Sequence, residues 1–137
     1  MKGIYLILLY IKRNCKTKVG KLGGISFKKG CYCYIGSAIG NSVNLENRIR
    51  RYKRLSLEKS GNLHWHIDYL LVNKNVEIIG IKTFTNLTMK ECDLSRKISN
   101  ISKFSVKKFG SSDCSCESHL HYLGDSVNLE KLSTITI

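Results

Sequence analysis

Apolar positions run almost unbroken from Ile4 to Ile11, and the β-prone stretch Gly3–Lys12 predicts a first strand. Gly20, Gly23 and Gly24 make Lys18–Gly24 a turn, and Ile25–Ile35 then reads as a second strand. Together the two strands predict an antiparallel hairpin, with the start of one beside the end of the other. Leu45, Ile49 and Tyr52 recur at helical spacing and set a buried stripe with Asn44 as its cap, while Arg48, Arg50, Arg51 and Arg54 occupy the remaining faces. Ile67–Val72 predicts a short helix after His64-Trp65-His66, and Val76–Thr85 a third strand. A further helix is expected from Thr88 to about Ile101, through Leu94 and Ile98. Phe104–Phe109 and His119–Leu123 read as short strands, and the tail from about residue 124 receives no element. The expectation is an α+β fold: a small antiparallel β-sheet, the N-terminal hairpin plus a third strand, flanked by helices.

Length confines this pattern to one unit. The chain has 137 residues, 42% of them apolar, with no proline and no linker-like stretch, so residues 1–137 are expected to form a single domain without internal repeats. Charge changes the picture more. Twenty-three Lys and Arg against ten Asp and Glu give a formal +13, a self-repulsion that a polyanionic partner relieves. The basic residues gather around the first turn, along the arginine-rich helix and near residues 96–108. Nucleic acid is the expected partner, ahead of anionic membrane. Ile4–Ile11 is far short of the ~20 residues a membrane span needs, and no small-residue cleavage pattern follows it. A cytoplasmic protein is expected, with its six cysteines as reduced thiols or metal ligands rather than staples. No glycine-rich run has the pattern of a phosphate loop or a dinucleotide fingerprint, so no nucleotide cofactor is expected.

Two tripeptides, Gly3-Ile4-Tyr5 and Tyr34-Ile35-Gly36, stand on the two strands of the hairpin, followed by a basic helix and a later acidic one. In this the chain resembles the GIY-YIG nuclease superfamily. The likeness extends to the small stand-alone Uri-type branch through Val19–Gly23, Gly30–Ala38, His64–Leu71, Glu91–Leu94 and Phe109–Cys116, and so covers residues 3 to about 123. It implies a metal-dependent endonuclease hydrolysing DNA phosphodiester bonds, with Tyr5 as general base, Tyr34 positioning, and Glu91 as ligand of Mg²⁺ or Mn²⁺. An arginine followed four residues later by a histidine or tyrosine is the family's helix pattern, and Arg48 with Tyr52 fits it.

The chemistry has its own requirements: a base for the attacking water, a cation at the scissile phosphate, and relief for the leaving oxygen. A phenol ionises near pH 10, so Tyr5 needs positive charge beside it; otherwise it is a strand aromatic packing on its neighbours. Arg48 and Tyr52 share a helix face, and a guanidinium fork suits phosphate. Arg51 is the rival clamp, and Tyr52 is alternatively a stripe residue. Glu91 closes a Thr88-x-x-Glu91 capping box, which competes with metal ligation. His64 and His66 are candidates for phosphate contact or proton transfer, or for support of a cleft wall, with Asp68 available to orient either ring. Lys21, Arg51, Arg54 and His66 are candidate nucleic-acid contacts. Cys114, Cys116, His119 and His121 offer zinc-type donors, although the C-x-C and H-x-H spacings are tight for a structural Zn²⁺ site and buried thiols beside ordinary histidines are the simpler account. A catalytically inactive nucleic-acid-binding module on the same scaffold is the alternative function. Whether the substrate is single-stranded, duplex or branched stays open, as do RNA and the oligomeric state.

Overall fold

The computed structural model describes residues 2–38, 44–85, 90–111 and 116–126. Strand β1 (Gly3–Ile11) is followed by a short β2 (Cys15–Lys18), a 3₁₀ turn at Gly20–Leu22, β3 (Gly24–Phe27) and β4 (Gly30–Ala38). Then come α1 (Leu45–Glu58), α2 (His66–Leu71), β5 (Val76–Phe84), α3 (Glu91–Ile101), β6 (Phe104–Ser105) and β7 (Leu120–Gly124). The main sheet has the order β5-β1-β4-β7-β6, and each of its pairings is antiparallel. The α+β architecture with an antiparallel sheet flanked by helices is as expected.

One expected strand is two. Residues 25–35 do not continue as a single β segment: the chain leaves β3 after Phe27 and re-enters a strand at Gly30, whose φ of 139° suits glycine alone. The first part, β3, pairs with β2 in a separate two-stranded ribbon, and only β4 reaches β1. The stretch 104–109 also shortens: two residues pair with β7, and the chain then turns back so that Phe109 is buried. Strand β2 was not expected, and the other elements fall within a residue or two of expectation, apart from the start of α3 at Glu91. Thr88 and the tail from residue 127 lie outside the described residues.

Strand alternation builds a core on each side of the sheet. Tyr5, Ile7, Leu9 and Ile11 of β1, with Tyr32 and Tyr34 of β4, pack toward α1 and α2 through Leu45, Tyr52, Leu55, Ile67 and Leu70. Ile4, Leu6, Cys33 and Ile35 face the other way, against Leu94 and Ile98 of α3. Helix α1 starts where the Asn44 side chain accepts a bond from the Asn47 amide at 3.1 Å, and stops at Lys59 in a left-handed conformation.

The β1–β4 register sets Tyr5 opposite Gly36 and Ile7 opposite Tyr34, so the two tripeptides of the sequence lie side by side. Gly36 is a glycine for a steric reason: a Cβ there would land on the Tyr5 phenol oxygen and ring. Gly36→Ala is therefore expected to lower stability by about 1–3 kcal/mol through overpacking. Urea unfolding reads this as a reduced midpoint, and an unchanged midpoint would mean that the Tyr5 ring moves aside freely.

Candidate functional site

At the end of β4 the sheet delivers side chains from four elements to one place. Tyr5, 1% exposed, shares a hydrogen bond of 2.8 Å with Tyr52 of α1, hydroxyl to hydroxyl. The Tyr34 ring lies 6.4 Å from that of Tyr5, centroid to centroid, and is backed by Phe109. One helical turn before Tyr52, Arg48 Nη1 donates to the Ser37 carbonyl at 2.9 Å, and its guanidinium lies 4.3 Å from the Trp65 ring centroid. Ser37 Oγ donates to Glu91 Oε2 at 2.7 Å, and the other carboxylate oxygen, Oε1, lies 2.8 Å from His119 Nδ1. Tyr5, Arg48 and Glu91, far apart in the chain, thus surround one end of the sheet.

Burial and charge act on these phenols in opposite directions. Burial raises the Tyr5 pKa above its ordinary value, while the bond from Tyr52 and the neighbouring Arg48 pull it back down. Burial also raises Tyr34 and Tyr52, and for Tyr52 the bond to Tyr5 adds to the increase. Of the bonded pair Tyr5 is therefore the better place for a negative charge, with Tyr52 as its donor. Tyr34 stays a neutral phenol at physiological pH and keeps its O–H to donate.

Glu91 is the first residue of α3, where a carboxylate is favoured by the helix dipole. Its side chain is 27% exposed and reaches across to Ser37 and His119, while Thr88, the other member of the capping-box reading, lies outside the described residues. The donor set suits a hard divalent cation: a carboxylate beside a hydroxyl, with solvent access for retained waters.

Other assignments change. Arg51, the rival clamp and a candidate nucleic-acid contact, is bound to Asp68 through both terminal nitrogens, at 2.8 and 2.9 Å. Asp68 is fully buried and also accepts the His64 and Trp65 amides, so it holds Arg51 and the start of α2 and not an imidazole ring. His64 is exposed and meets the Trp65 ring edge-on with centroids 4.5 Å apart, at the rim of the arginine platform. His66 Nδ1 accepts the Gly110 amide at 2.8 Å. His64, His66, Lys21 and Lys108 line a cavity of about 640 Å³, and Arg54 is exposed on α1.

The Cys/His group also differs from expectation. Cys114 lies outside the described residues, and both nitrogens of His121 face hydroxyls, Ser95 at 2.7 Å and Ser105 at 2.6 Å. Burial, with the nearby His119, pushes the His121 pKa down to about 4. The side chains that gather are Cys92, Cys116 and His119. Cys92 and Cys116 are paired as a disulfide across a Cα separation of 6.2 Å, whereas reduced thiols were expected.

Three participants were not singled out for this site from the sequence. Ser37 directly follows the second tripeptide, and strand alternation could have placed its side chain on the α3 face. Trp65 lies between two candidate histidines. His119 was assigned to a zinc cluster, and nothing in its spacing pointed to Glu91, 28 residues earlier.

The fold and site define a basic α+β domain with a tyrosine–arginine–carboxylate cluster at the end of an antiparallel sheet. The chain belongs to the DUF123 family, a domain of unknown function, which matches residues 4–136. No curated protein and no solved structure matches it. Among the described residues no helix is long and apolar enough to cross a membrane.

Removing Asp68 leaves the Arg51 guanidinium with the Asn62 carbonyl alone and takes the acceptor from two amides. Asp68→Ala is expected to cost about 3–5 kcal/mol, as breaking a buried pair on one side does. Chemical denaturation measures the loss, and Arg51→Met in the Asp68→Ala background should recover part of it.

Proposed function

We infer that this protein is a metal-dependent endonuclease of the GIY-YIG type, akin to the Uri-type branch, which hydrolyses DNA phosphodiester bonds in the cytoplasm. The observation that carries the reading is the meeting of Tyr5, Arg48 and Glu91 around one end of the sheet, each chemically suited to its part.

Tyr5 serves as general base. Its phenolate takes a proton from the attacking water, stabilised by the Tyr52 hydroxyl and by the charge of Arg48. Arg48 is held by Trp65 and the Ser37 carbonyl, and its remaining N–H groups clamp the scissile phosphate. Tyr34 keeps its proton and positions the water or a phosphate oxygen. Glu91, aimed by Ser37 and His119, holds Mg²⁺ or Mn²⁺. When bound, that ion supplies positive charge against the charge growing on the phosphate and the leaving 3′ oxygen. His64 stands at the rim, able to touch phosphate or pass a proton. Lys21, His66 and Arg54 contact the backbone of the nucleic acid, which gives affinity without choosing sequence.

A catalytically silent binding module is the second reading, favoured by the depth at which Tyr5 is buried. Labelled single- and double-stranded DNA and RNA, incubated with and without Mg²⁺, separates the two. Cleavage that requires the cation and leaves 5′-phosphate and 3′-hydroxyl ends supports the nuclease. Binding without cleavage of any substrate supports the silent module.

Glu91→Ala is expected to lower cleavage by about a hundredfold or more while DNA binding is largely retained. Cleavage at the wild-type rate would remove Glu91 from the chemistry. The base must be deprotonated to act, and burial holds Tyr5 above the ordinary phenol value. The cleavage rate of the wild type should therefore climb with pH from neutral into the alkaline range, read from initial rates at constant ionic strength. A rate that falls over the same range would contradict Tyr5 as base.

A further inference from the structure

Beside Glu91 lies a second group of ligand-type side chains, two of which, Cys92 and Cys116, the nuclease reading does not use. His119 is 2% exposed, and its backbone is fixed on both sides: its amide donates to Phe109 at 2.8 Å and its carbonyl accepts from Ile35 at 3.0 Å. Its Nδ1 is 2.8 Å from the Glu91 carboxylate, and its Nε2 is 3.8 Å from Cys92 Sγ. A proton on Nδ1, the nitrogen on the carboxylate side, leaves the lone pair on Nε2, the nitrogen on the sulfur side. Taking one ligand atom from each of Cys92, Cys116 and His119, all lie within 4.8 Å of one another.

We propose that the reduced form of Cys92 and Cys116, together with His119 Nε2, is a binding site for a soft or borderline divalent metal ion, Zn²⁺ in the first place. Three observations support this beyond the proximity of the two sulfurs. A disulfide requires only the two cysteines, whereas here an imidazole joins them with its electron pair directed at the same point. The far nitrogen of that imidazole lies 2.8 Å from a carboxylate oxygen, the place where the outer partner of a metal-bound histidine stands. Both cysteines also line a cavity of about 200 Å³ together with Ser95, Arg96 and His121, which gives an ion access from outside. Two thiolates and one imidazole fill three corners of a tetrahedron and leave the fourth for a solvent ligand.

The disulfide seen between the two cysteines and the metal site exclude each other. Conversion requires two equivalents of a small-molecule thiol, which reduce Cys92–Cys116 to two S–H groups and are themselves oxidised to a disulfide. As the ion binds, the protons of Cys92 and Cys116 leave to solvent. The site extends beyond the nuclease reading and does not depend on it. Its neighbour Glu91 takes a hard cation through oxygen, while this group offers sulfur and nitrogen, so the two sites select different metals.

The test uses the full chain, reduced with a thiol, loaded with Zn²⁺ and freed of excess ion, with metal measured by elemental analysis. About one zinc per chain is expected, and titration with Co²⁺ should give the intense thiolate-to-cobalt absorption of a sulfur-bound ion. Cys92→Ser, Cys116→Ser and His119→Ala should each weaken binding by about tenfold or more. Cys15→Ser and Glu91→Gln should retain the metal. Absence of zinc and of the cobalt–thiolate band in the wild type would overturn the site, and that measurement holds even if a variant fails to fold. Zinc that is lost with Glu91→Gln but kept by Cys92→Ser would overturn it as well, by placing the ion at the carboxylate.

Discussion

The close passage of the Tyr5 ring over Gly36 is the contact on which the site depends. It exists because β1 and β4 pair in one register, and a one-residue slip would carry Tyr5 to the opposite face. In that register the backbone at position 36 has no side chain to hold the ring away. The phenol therefore lies flat over the sheet and reaches the Tyr52 hydroxyl, while the next residue of β4, Ser37, turns its side chain toward α3 and its carbonyl toward Arg48. A single strand end thus serves both faces. Helix α1 brings the cation and a phenol from one side, and α3 brings the carboxylate from the other.

Electrostatics decides which arginine is left for function. The chain is strongly basic, and Asp68 is the only carboxylate fully buried among the described residues. It takes Arg51 through both nitrogens and two backbone amides as well, with Oδ2 accepting three of the four bonds. Arg48, three positions earlier, has instead an aromatic face and one carbonyl as partners, both neutral. Among the described residues no carboxylate forms an ion pair with it. It pulls the pKa of Tyr5 down and remains available to an anion. The division between a structural and an unneutralised arginine on one helix follows from the position of one aspartate at the start of α2.

The acidic end of α3 joins two kinds of chemistry. Glu91 touches a serine on the sheet and a histidine on β7's approach, and that histidine in turn faces two sulfurs. Oxygen donors and soft donors thus stand within a few side chains of one another. One imidazole, whose backbone is bonded on both sides, thus lies between Glu91 and the Cys92–Cys116 pair.

Much of this was legible in the chain. Alternating and helical periodicities located the strands and helices, because burial of one face requires those spacings whatever the neighbours are. The paired tripeptides marked Tyr5, Tyr34 and Gly36, residues that the β1–β4 pairing brings close to one another. The break at Gly30 was less visible, since Ile25–Ile35 is β-prone throughout and only the separate pairing of β3 with β2 divides it. What tertiary structure alone decided were the contacts between elements distant in sequence: Arg51 with Asp68, Ser37 with Glu91, and His119 between Glu91 and Cys92. Periodicity states which face of an element is buried. It carries no information on which buried side chain from another element will stand opposite, and hydrogen bonds and metal ligation depend on that pairing.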